Sequence, residues 1–178
     1  MGHITEIRGM KKWIGILITI CFLTIAANAQ SPKDSLPYQK YPTLPAFNLL
    51  MLDSSSIFNT YNIKEGRPTV LFFFSPDCEH CHMTTKALME RMGEMKGADF
   101  YFFTFMSLEL LKPFADMYQL NKFKNITVGK DYQFFFPDFY GAKFVQYLVV
   151  YDKHKRLVKL YENAVKMDDL VPLLKSLK

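Results

Sequence analysis

Thr69-Val70-Leu71-Phe72-Phe73-Phe74-Ser75-Pro76-Asp77-Cys78-Glu79-His80-Cys81 joins an apolar run, a proline turn and a pair of cysteines. Residues 69–74 form a continuous apolar run between two turn signals, Glu65-Gly66-Arg67-Pro68 before it and Ser75-Pro76-Asp77 after it. Such a run fits a central strand buried on both faces. A helical period then begins and predicts a helix over residues 78–92. Met83, Leu88, Met89 and Met92 cover one face, Lys86, Glu90 and Arg91 the other, and Gly93 and Gly97 bracket its end. Cys78 and Cys81 therefore sit where a buried strand hands over to a helix.

That placement carries chemistry. Residues three apart meet on one helical face, so the two sulfurs can close a small disulfide ring with little rearrangement. Cys78 stands at the helix N-terminus, where unpaired backbone N–H groups and the helix dipole favour an anion. The thiolate is the attacking species in thiol–disulfide exchange. The expected roles follow: Cys78 attacks and forms a mixed disulfide, and Cys81, one turn deeper, resolves it.

Working outward, residues 47–52 and 57–61 read as two short strands around the turn-rich Asp53-Ser54-Ser55-Ser56, an N-terminal β-hairpin extension. Residues 99–106 are a further strand. Residues 108–118 repeat a helical period, with Pro113 expected near the first turn, where proline costs little. Residues 132–140 read as a short aromatic helix or irregular turn. Residues 144–151 and 156–161 alternate as strands joined by Asp152-Lys153-His154-Lys155, with His154 expected in solvent. Residues 167–177 close the chain as an amphipathic helix, with Asp168 and Asp169 suiting the positive end of its dipole. The β-α-β start predicts a parallel pair and the late hairpin an antiparallel one. The fold class is α/β, a mixed central sheet flanked by helices on both faces.

The first thirty residues read as an address. Arg8, Lys11 and Lys12 precede the uncharged run of residues 13–27, and Ala27-Asn28-Ala29 spells a small-residue cleavage pattern. Basic, apolar and then small is the layout of a secretory signal peptide, which assigns residues 1–29 to it. The apolar run is shorter than the ~20 residues a spanning helix needs, so membrane anchoring requires an uncleaved signal. Residues 30–45, with Pro32, Pro37, Pro42 and Pro45, read as an extended linker, and residues 46–178 as one domain. Of the three cysteines, Cys21 leaves with the signal. Export places Cys78 and Cys81 in an oxidising compartment, expected to be a bacterial periplasm. A formal net charge of +5 without a basic block excludes a nucleic-acid footprint. A hydrophobic fraction of 49% with 17 Phe excludes a disordered chain and supplies a dense core.

The sequence TVLFFFSPDCEHC resembles the active-site strand, turn and helix start of thioredoxin-like proteins. With the preceding hairpin, and with VVYDKHKRLVKLYENAV before the last helix, the chain is similar to the TlpA/ResA-like branch of exported thiol-disulfide oxidoreductases over residues 45–178. The resemblance implies a thioredoxin-like fold and dithiol–disulfide exchange on exported partners such as apocytochromes or metallochaperones. Reduction is the favoured direction. An upstream electron donor is implied, and no cofactor is required if electrons come from a partner dithiol. It also implies a partner-docking backbone at Val145 and Gln146, where family members carry a cis-proline. A cis peptide before a non-proline costs ~2.5–4 kcal/mol, so a trans peptide and altered docking are expected at Gln146. Asp77 stands where an aromatic residue often precedes the first cysteine, and its carboxylate opposes a thiolate. Glu79 resembles the general acid/base of reductive members, and a protonated His80 would favour the thiolate, so both are expected to tune the couple.

Three rival readings use the same residues. Cys78-Glu79-His80-Cys81-His82 matches the c-type haem attachment pattern, with His82 as axial ligand. Small c-type cytochromes are mostly helical, whereas this motif follows a β-run of three phenylalanines. Cys78 and Cys81, joined by His80 or His82, could instead hold copper(I), since a closed zinc site wants four ligands and there is no second cysteine pair. A binding module that keeps the fold without turnover is the third. The bland reading of His82 is a polar residue on the first helical turn.

Overall fold

The structure, a computed structural model, describes residues 35–178. The expected signal peptide, residues 1–29, lies outside the described residues. A single turn of helix, α1 (Pro37–Lys40), comes first, followed by the hairpin strands β1 (Asn48–Met51) and β2 (Ile57–Asn59). The centre of the chain runs β3 (Thr69–Phe73), α2 (Glu79–Arg91), β4 (Asp99–Thr104), α3 (Leu108–Met117) and β5 (Ile126–Lys130). It closes with α4 (Phe135–Tyr140), β6 (Tyr147–Tyr151), β7 (Leu157–Glu162) and α5 (Met167–Ser176). The strands form one seven-stranded mixed sheet in the order β2-β1-β5-β4-β3-β6-β7.

β3 is buried at every residue and is flanked by β4 in parallel and β6 in antiparallel register. Strand alternation divides its side chains between two cores. Val70, Phe72 and Phe74 face a layer that includes Cys81 and Leu88 of α2, Leu111 and Phe114 of α3, and Leu170 and Leu174 of α5. Leu71 and Phe73 face the opposite layer with Phe47, Phe103, and Phe136 and Tyr140 of α4. The Phe73 and Phe136 rings stack at 4.8 Å between centroids, and Phe74 meets Phe114 at 4.5 Å. Phe72, Phe73, Phe74 and Phe136 are thus packing for the two faces.

Three expectations are corrected. Residues 30–45 were expected to be an extended linker, but their described part is built onto the domain. Leu44 N–H donates to Lys155 O, Leu157 N–H donates to Pro42 O, and the Tyr38 ring stacks on Tyr140. Pro37 opens α1 at its first position, where its fixed φ suits a helix start. Second, β5 is a strand that the periodicity does not announce. It pairs with β4 on one side and with β1 on the other, and so joins the hairpin to the sheet. Its Gly129 breaks the apolar pattern for a packing reason: a Cβ there would come to 3.0 Å of Leu49 Cβ and 3.1 Å of the Leu50 carbonyl oxygen. Third, Pro113 lies inside α3 rather than in its first turn.

Candidate active site

The turn after β3 builds the site. Phe74 N–H donates to Phe103 O, prolonging the sheet pairing, and Cys78 N–H then donates back to Ser75 O at 3.1 Å. Ser75-Pro76-Asp77-Cys78 is therefore a hydrogen-bonded turn with proline at its second position, the place a fixed φ suits. Cys78 is the N-cap of α2, in extended backbone conformation, and His82 N–H donates to its carbonyl at 3.1 Å. The Cys78 sulfur fills the role that a serine or aspartate oxygen usually has at this position. It accepts a hydrogen bond from Cys81 N–H at 3.3 Å.

The two thiols are free and unequal. Cys78 is half-buried, whereas Cys81 is fully buried against the core beneath the helix. Burial, reinforced by the hydrogen bond with Cys78, pushes the Cys81 thiol up from 9.0 to about 12. Cys81 is thus held protonated while Cys78 faces outward at the amide-rich helix start. Asp77, Glu79 and His80 are exposed, and among the described residues the Glu79 and His80 side chains have no hydrogen-bond partner. His80 borders a shallow cleft of about 260 Å³ with Met83, Thr84 and Asn163.

Gln146 and Val145 come to the same place from the far end of the chain. The Val145–Gln146 peptide is cis, which corrects the expected trans bond. Contacts on both sides hold Gln146 there: its Nε2 donates to Thr84 Oγ1 at 2.8 Å, and its carbonyl accepts from Asn163 N–H at 3.0 Å. Gln146 is buried against α2 one turn beyond Cys81, and its Oε1 has no partner among the described residues. Val145 borders a groove of about 450 Å³ with Phe73, Phe105, Phe134 and Phe144. Phe144 and Phe134 expose 72% and 52% of their surface, which leaves an aromatic edge on that groove.

His82 is the residue whose role sequence reasoning missed. Its ring is half-buried between α2 and α3, with Nε2 at 2.7 Å from Pro76 O and Nδ1 at 2.7 Å from Tyr118 Oη. Tyr118 Oη also lies 3.2 Å from His82 O, and burial raises its hydroxyl above the usual range, so it stays protonated. Both ring nitrogens are engaged within the protein, which turns the imidazole away from the axial-ligand role that the haem pattern requires. The signal in the sequence was a histidine one turn past Cys78, following a proline turn.

No family model and no curated protein matches the chain. Solved structures do. A Mycobacterium tuberculosis DsbF structure is similar over 74% of this chain and 95% of its own, with a TM-score of 0.63 and 18% identity. A secreted disulfide oxidoreductase of the same organism, described as homologous to Escherichia coli DsbE, covers 74% of this chain and 96% of its own, with a TM-score of 0.62 and 21% identity. An exposed lipoprotein thioredoxin of Streptococcus pneumoniae covers 75% of this chain and 100% of its own, with a TM-score of 0.58 and 20% identity. The fold is thioredoxin-like, and it carries a Cys-x-x-Cys pair at the N-terminus of its first long helix.

Proposed function

We propose that this chain is an exported thiol-disulfide oxidoreductase of the TlpA/ResA-like kind, working as a reductant of exported protein disulfides. One observation carries the reading: the outer sulfur receives a helix-start amide, while the inner thiol is buried and its pKa is pushed up to about 12. That asymmetry separates an attacking from a resolving cysteine.

Cys78 thiolate attacks one sulfur of the partner's disulfide. The partner's other sulfur leaves and takes a proton, and a Cys78–partner disulfide forms. Cys81 then gives up its proton and attacks the Cys78 sulfur, and the partner's second thiolate departs. Two electrons pass to the partner, and the chain is left with a Cys78–Cys81 disulfide for an upstream dithiol to reduce. Glu79 is exposed beside the pair and takes the Cys81 proton, and His80 tunes the couple. The aromatic edge at Phe134 and Phe144, with Val145 and Gln146, is where the partner's backbone is received. No cofactor enters these steps. Apocytochromes and metallochaperones are the partner classes this chemistry suits, and the periplasm is the compartment.

Neither metal nor haem is supported as well. Among the described residues no group of three or more His, Cys, Asp and Glu is placed to hold a metal ion, so a copper(I) site would rest on the two sulfurs alone. Among the described residues no helix is long and apolar enough to cross a membrane. The deciding measurement is the reduction potential of the Cys78/Cys81 couple. A value near −270 mV or below is expected, and one near −120 mV would make the protein an oxidant.

A further inference from the structure

We propose that His82 is a positioning residue for Cys78, acting through the carbonyl of Pro76 with Tyr118 as its brace. The inference rests on Cys78 being the reactive thiol.

Pro76 O belongs to the central peptide of the Ser75-Pro76-Asp77-Cys78 turn. Rotation of that one peptide interconverts the common turn types, so holding its carbonyl fixes ψ of Pro76 and φ of Asp77, the residue that leads into Cys78. Pro76 is buried, so its carbonyl needs a donor. His82 Nε2 supplies it at 2.7 Å. A carbonyl only accepts, so Nε2 carries a proton whatever the charge of the ring.

The other nitrogen is arranged to suit both charge states. In the neutral ring, Nδ1 accepts from Tyr118 O–H at 2.7 Å. In the imidazolium, Nδ1–H donates to Tyr118 Oη, and the Tyr118 hydroxyl proton turns to His82 O, 3.2 Å away. No heavy atom has to move. Ring packing on Phe114, with centroids 5.0 Å apart, fixes the imidazole plane from the third side. The clamp ties the Pro76–Asp77 peptide to the end of α3. Its purpose is to keep the Cys78 sulfur where Cys81 N–H meets it, the contact seen at 3.3 Å.

The test compares the wild type with His82→Phe, which keeps the aromatic packing and loses both polar contacts, and His82→Gln, whose amide reaches Pro76 O as Nε2 does. Two quantities are read on the reduced proteins: the rate constant for iodoacetamide alkylation of Cys78 near pH 7, and the equilibrium of the couple with glutathione. Loss of the single clamping bond is expected to slow alkylation about five- to tenfold and to move the equilibrium several-fold toward the disulfide. His82→Gln is expected to return both to within about twofold of wild type. Nitrogen-15 spectra of the wild-type ring give a measure that depends on no variant, and Nε2 is expected to be protonated. A wild-type rate in His82→Phe, a glutamine variant no better than phenylalanine, or a ring protonated on Nδ1 alone would each overturn the proposal. Should the wild type fail to cycle with glutathione while alkylation still depends on His82, the redox reading falls and the positioning role stands.

Discussion

Removing the outer thiol isolates the inner one. In Cys78→Ser, Cys81 keeps its full burial, the largest cause of its raised pKa, and loses only the contribution of the Cys78 sulfur. With the thiol at about 12 instead of 9.0, its thiolate fraction near pH 8 falls from about one in ten to about one in ten thousand. Alkylation of Cys81 in the native variant should therefore run up to about a thousandfold slower than in the same protein unfolded in guanidinium, before any steric shielding is added. The rates are read by mass spectrometry after timed quenching, between about pH 7 and pH 9. The same shift sets a sign for stability. An acid whose native pKa is raised binds more protons folded than unfolded, so reduced protein loses stability as pH climbs above 9.0. The loss approaches the order of 4 kcal/mol by about 12. A native Cys81 that reacts within tenfold of the unfolded thiol would refute the assignment of a buried resolving cysteine.

Three further outcomes test the frame around the site. Thr84→Val removes the acceptor for the buried Gln146 amide and should cost about 1–3 kcal/mol in urea denaturation; an unchanged midpoint would show that Gln146 is not anchored to α2. Gly129→Val forces side-chain atoms toward Leu49 and the Leu50 carbonyl. It should destabilise by about 1–3 kcal/mol and speed amide exchange in residues 48–59, whereas wild-type exchange there would count against the β1–β5 pairing. Phe72→Ala, which empties a fully buried position between β4 and β6, should cost about 3–5 kcal/mol in the same denaturation assay, and a cost below 1 kcal/mol would deny Phe72 its place in the core.

One groove is bordered by His80 and Asn163 and another by Phe134 and Phe144. Gln146 is hydrogen-bonded to Thr84 of α2, the helix that Cys78 caps.

Residues 69–81 were enough to read most of the candidate site's layout. A buried strand, a proline turn and a helix start are all local patterns, written in the apolar run, in Pro76 and in the periodicity after Cys78. The hairpins and the closing helix were legible for the same reason, and their ends shifted by only a few residues. Tertiary structure decided what depends on distant partners. β5 is a strand because β4 and β1 pair with it on both sides, although Gly129 weakens its own preference. Cys81 is held protonated because it is buried in the core layer between the sheet and the helices, and its spacing from Cys78 cannot convey that desolvation. His82 spells a haem ligand or a surface residue until Tyr118, 36 positions later, packs beside it and leaves its other nitrogen aimed at Pro76. Periodicity encodes which face of an element is apolar. The identity of the group met across that face is fixed only when the layers close.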